Sequence, residues 1–143
     1  MRHIFTILCS KVSIDRQSNN ASLFDIIERI ELEVPAGTQR PITFGFSGDL
    51  VTLWGRNDFN IPGSGYARTR LLSPDNQVLA EFFNEVELQS APRNRLMGHL
   101  NGLKVQGTGW HHFQVSQRDS PDADWEIVHE YPLEIIVNEK PQP

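Results

Sequence analysis

Seven side chains at every second position, Trp125, Ile127, His129, Tyr131, Leu133, Ile135 and Val137, lie on one parity, opposite Glu126, Glu130 and Glu134. A β-strand turns successive side chains to opposite faces, so this run predicts a long strand with one buried and one wet face. Antiparallel sheets accommodate that division, whereas parallel strands are usually covered on both sides. The alternation therefore commits this part of the chain to an antiparallel β architecture.

The segment upstream repeats the pattern. Gly109 opens Trp110-His111-His112-Phe113-Gln114-Val115, in which His111, Phe113 and Val115 share one parity and Trp110, His112 and Gln114 the other. The first set is expected inside and the second outside. The acidic loop 119–124, with Asp119, Asp122 and Asp124, joins this strand to the last one.

Further strands are expected over 3–12, 50–54, 66–72, 77–88 and 95–105, where β-branched, aromatic and aliphatic residues cluster between Gly, Pro, Asn and Asp. Ser73-Pro74-Asp75-Asn76 predicts a hairpin turn with proline at its first central position. Residues 35–48, with two prolines and three glycines, read as a loop. Residues 22–34 are ambiguous. Leu23, Ile26, Ile27 and Ile30 recur at helical spacing, yet Ile30-Glu31-Leu32-Glu33-Val34 alternates, and a hairpin with the first strand is favoured. The sum is one all-β domain over 1–138, a single antiparallel β-sandwich of about eight strands, with a flexible tail at 139–143.

Composition narrows the partners. A net charge of −5 with scattered Lys and Arg argues against a nucleic-acid backbone as partner, because phosphate neutralisation needs clustered cations. No stretch approaches the ~20 apolar residues of a membrane helix. The lone Cys9 sits in an apolar run and reads as a buried thiol, which fits a reducing, cytoplasmic compartment.

Candidate chemistry is sparse. His111 and His112 are adjacent and point apart on a strand, so they cannot grip one ion together. Asp119, Asp122 and Asp124 are the candidate metal ligands, for calcium, although their spacing matches no defined calcium loop. Gly63-Ser64-Gly65 lacks the strand–turn–helix setting of a nucleophile elbow, and no phosphate loop is present. No catalytic residue and no cofactor is expected. Trp110 and Trp54 are candidates to stack on a sugar or anchor a protein. Phe82 and Phe83 add to them, since adjacent strand residues face opposite ways and one must find cover outside the core. His112 completes the candidate partner-binding set. The first strand carries apolar side chains on both parities, Ile4, Leu8 and Val12 against Phe5, Ile7 and Cys9, which points to self-association or a protein partner.

The segments around Ile7-Leu8-Cys9, Ala21 to Glu28, Leu100-Asn101-Gly102-Leu103, Gly109 to Val115 and Tyr131-Pro132-Leu133-Glu134-Ile135 together resemble a family of short uncharacterised bacterial proteins. The resemblance implies an Ig-like or C2-like β-sandwich. That family has no assigned activity, so no site residue carries over. The expectation is a non-catalytic interaction module binding a protein partner or itself, with a carbohydrate- or calcium-binding module as the alternative.

Overall fold

The computed structural model describes residues 1–142 and holds nine strands: β1 (Arg2–Ile14), β2 (Ala21–Ile26), β3 (Arg29–Pro35), β4 (Ile42–Gly55), β5 (Gly63–Leu72), β6 (Val78–Leu88), β7 (Arg93–Val105), β8 (Gly109–Arg118) and β9 (Glu126–Lys140). They form two sheets, one in the order β2-β1-β4-β7 and one in the order β3-β9-β8-β5-β6. The larger apolar cluster joins Leu8, Leu50 and Leu100 of the first sheet to Leu71, Phe113, Leu133 and Ile135 of the second, so the core lies between the sheets. A smaller cluster around Trp54, Val86, Leu88 and Val115 fills one end.

Neighbouring strands run antiparallel except β3 and β9, which pair in parallel from Arg29 opposite Glu134 to Pro35 opposite Lys140. The purely antiparallel expectation is corrected here, and the cause lies at residues 27–28. β2 does form the hairpin with β1, from Cys9 opposite Ile26 to Ile14 opposite Ala21. Ile27 N–H still donates to Leu8 O, but the next residue, Glu28, already accepts from Glu134 N–H of the other sheet. The chain thus changes sheets within one peptide unit and arrives at β9 in the parallel sense. Tyr131 Oη donates to Ile27 O at 2.5 Å, which satisfies a carbonyl that neither sheet takes.

The expected loop at 35–48 is also corrected. β4 begins at Ile42, and Ile42 and Phe44 pair with Val105 and Leu103. Gly45 falls in a register shift between Phe44 and Ser47, so the strand absorbs the glycine as an irregularity and continues.

The hairpin of β5 and β6 and the pairing of β8 with β9 follow the sequence reading. His111, Phe113 and Val115 are buried, while Trp110 is 61% exposed. On β9 the alternation holds from Tyr131 to Ile135 and fails upstream. Val115 pairs with His129 but Ser116 pairs with Ile127, which leaves Val128 as an extra residue. This bulge rotates Val128 onto the smaller cluster and turns Ile127 out to solvent. The far end of β9 stays in the sheet: Lys140 Nζ lies 2.7 Å from Glu33 and Arg40 2.9 Å from Glu139. Strand pairing therefore runs two residues into the segment read as a tail, and Pro143 lies outside the described residues.

The two sides of the molecule differ. The β2–β3 crossover closes one side. On the other, β6 and β7 are edge strands of the two sheets, joined by the short connection 89–92 and by Asn94 Nδ2 donating to Glu87 O at 2.9 Å.

Candidate functional site

Strand register assigns side chains to faces. In the four-stranded sheet Thr6, Thr52 and Leu96 form one cross-strand row, and Leu8 and Leu50 another, all pointing to the interior. The residues between them point outward. Phe5, Leu53 and Arg95 make one outer row, Ile7, Val51 and Met97 the next, and Ile26, Cys9, Asp49 and His99 the third, with Phe24 beside Lys11 beyond. Ile26, Phe24 and Met97 are about half exposed at 49, 48 and 51%. Cys9 and Val51 belong to neither interior cluster, yet both are fully buried, because flanking outer side chains close over them.

This outer face is apolar at its centre and charged at its corners. Lys11 and Arg95 stand at opposite ends. Asp49 and His99 hydrogen-bond one another at 3.1 Å, so the polar side chains inside the patch partner each other. Burial, and after it Asp49, push the Cys9 thiol above its ordinary value, which keeps it protonated and unreactive. No family model and no curated protein matches this chain. The surface itself has to carry the functional argument.

The residues singled out from sequence do not form one site. Trp54 is 0% exposed in the smaller core cluster, so its expected role as an exposed partner-binding ring is overturned. The reason is its register: Trp54 pairs with His3 and Asn94 on the inward parity of β4. Trp110 is exposed on the opposite side of the molecule, opposite Glu134 of β9. His112, on the same face, lies 3.7 Å from Glu130 and is largely covered. Phe82 and Phe83 point apart, as adjacent strand residues must. Phe82 leans into the β6/β7 seam, and Phe83 lies on the outer face of the five-stranded sheet, 6.1 Å from the Trp125 ring.

Asp119, Asp122 and Asp124 are all exposed. Among the described residues no three His, Cys, Asp or Glu side chains come together to hold a metal ion, so the expected calcium ligands are not assembled. His99 and His112, a conceivable ligand pair, lie on outer faces of different sheets.

The remaining histidines are structural. His3 donates to or accepts from Thr6 Oγ1 at 2.7 Å, stacks on His129 at 4.9 Å and meets Trp54 edge-on. Burial and the neighbouring His129 lower its pKa to about 4. His111 Nε2 accepts the Gln106 N–H at 3.0 Å, and burial lowers its pKa as well.

A groove runs along the β6/β7 seam. It comprises two contiguous cavities of about 320 and 410 Å3 that share Phe82, His99 and Leu100. Gly98 helps to open it. Gly98 stands on the inward parity opposite Leu50, and the nearest atom to a Cβ built there is Leu50 O at 3.9 Å. Sequence reasoning missed this seam, since an edge strand and a central strand have the same alternation. It also passed over the two arginines that stack on Trp125. Arg68 and Arg118 lie on different strands, and nothing in their spacing links them.

Proposed function

We propose that the chain is a non-catalytic interaction module, an Ig-like or C2-like sandwich that binds protein through the outer face of its four-stranded sheet. A second copy of the same chain is the partner to test first. The observation that supports this reading is the apolar surface of Phe5, Ile7, Phe24, Ile26, Leu53 and Met97, with Lys11 and Arg95 at its corners and Asp49 held by His99 within it. Contiguous apolar patches of this kind on soluble proteins mark interaction surfaces. Two such faces laid together would bury the rings and aliphatic chains as the inner faces of a sandwich do. The bacterial family named above and a cytoplasmic setting are part of the same proposal.

Sedimentation velocity across a concentration series tests it. The wild-type chain is expected to associate, and Met97→Glu or Ile26→Glu to remain monomeric with an unchanged circular dichroism spectrum. A wild-type chain that stays monomeric at millimolar concentration removes the self-association reading.

A second reading, a carbohydrate-binding module, is supported by the exposed Trp110 ring alone. Titration with glycans in a Trp110→Ala comparison tests it, and absence of any saturable fluorescence change in the wild type disposes of it.

A further inference from the structure

The outer face of the five-stranded sheet carries a second, chemically different surface. Strand pairing sets Arg68 opposite Phe83, Tyr66 opposite both Glu85 and Arg118, and Arg70 opposite Glu81. Trp125, at the entrance to β9, lies across this array. Its ring centroid is 4.2 Å from the Arg118 guanidinium carbon and 4.8 Å from that of Arg68. Between Trp125 and β6 opens a pocket of about 220 Å3, walled by Tyr66, Phe83, Asn84, Glu85, Arg118 and Trp125.

The charges do not balance locally. Arg70 is taken by Glu81 at 2.5 Å. Among the described residues no carboxylate lies within 4 Å of Arg68 or Arg118. The Nε of each is sealed from solvent without an acceptor. Burial, with the charges of Arg70 and Arg118 adding to it, disfavours the charged form of Arg68. One arginine on a tryptophan is a favourable cation–π contact. A second beside it adds like-charge repulsion that Glu81 offsets only in part. Arg118 lines the pocket and Arg68 adjoins it on the same tryptophan ring; with Glu81 on Arg70 and Glu85 on the pocket wall, one of the three guanidinia is left without a carboxylate, which calls for a single anion from outside.

We propose that this pocket binds a single oxyanion, a carboxylate or a phosphate monoester, borne on a flat aromatic body. The planar fork of Arg118 takes the oxyanion in bidentate fashion, as guanidinium does for both groups. Arg68 stands behind it and raises the local positive potential. The ring rests on Phe83, which is 60% exposed, and on Tyr66. Glu85 on the rim restricts the site to one anionic group and disfavours polyphosphates. This site is independent of the apolar face on the other sheet.

Four probes test the assignment on the full chain: benzoate, phenyl phosphate, acetate and inorganic phosphate. Trp110→Phe removes the exposed tryptophan outside the pocket, and the Arg Nε–H resonances of Arg68 and Arg118 provide a second readout. The expected result is saturable quenching and matching Nε–H shifts with benzoate or phenyl phosphate, at least tenfold tighter than with the ringless anions. The tighter of the two ringed probes identifies the oxyanion. Arg118→Gln should weaken binding at least tenfold, and added salt should weaken it too. No saturable shift with any probe, equal binding of ringed and ringless anions, or unchanged binding in Arg118→Gln each overturns the proposal. Should Arg118→Gln fail to fold, the exposed Phe83→Ala variant tests the ring contact, and loss of the ringed probes' advantage is the expected outcome.

Discussion

At Gly109 the backbone runs at φ +146°, and a Cβ built there would lie 2.8 Å from Pro74 Cγ. The residue that opens β8 is thus held by two demands, a conformation that L side chains rarely adopt and the proline of the β5–β6 turn pressed against it. Gly109→Ala is expected to cost about 1–3 kcal/mol in urea unfolding, and a cost within experimental error would show that the turn simply moves aside. His3 offers a residue-scale test of a different kind. Its folded pKa of about 4 lies below the unfolded value of 6.5, so the unfolded chain binds the proton more readily. The stability His3 contributes is present above pH 6.5 and is lost as the pH falls from there through 4. Melting temperatures measured over that window should decline more steeply in the wild type than in His3→Gln.

Elements were legible where one face is wet and the other dry. β8 and the part of β9 from Tyr131 to Ile135 alternate in sequence as they do in space. The alternation misled only at Val128, because a bulge adds a residue without leaving a glycine or proline as a mark. β4 was half read for the opposite reason: its glycines and the proline before it signal a break, and the pairing of Ile42 and Phe44 with β7 overrides that signal. The switch from β2 to β3 was hidden since a strand that changes partner keeps its period. The open edge along β6 and β7 is an element-scale feature too, and Gly98 tests it. A Cβ added there meets only Leu50 O, at 3.9 Å. Gly98→Leu should fill part of the seam, raise unfolding stability by about 1 kcal/mol and reduce the fluorescence of an apolar dye bound to the protein. Destabilisation instead would mean that the edges need that gap.

For the molecule as a whole, the apolar residues of the first strand occupy both parities. One parity builds the core through Leu8, and the other builds the outer face through Phe5, Ile7 and Cys9. The sequence could not show that β2, β4 and β7 extend that face, since the rows assemble from segments up to ninety residues apart. The same holds for the shelf around Trp125, to which β5, β6 and β8 each contribute one to three residues. Individual aromatic residues were poor guides: Trp54 went inside and Trp110 outside, a distinction set by register and not by residue type.

The parallel pairing of β3 with β9 has a consequence for the order in which the molecule is made. The partners stand more than a hundred residues apart in the chain, so β3 leaves the ribosome long before anything exists for it to bond. Until β9 emerges, Ile30, Leu32 and Val34 have no strand beside them, whereas β1, β2 and β4 already have their neighbours. Contacts of such long range form slowly and leave strand edges open in the meantime. The first sheet is then a platform that waits for the second, and β9, the last of these nine strands to emerge, is the one that locks the crossover in place.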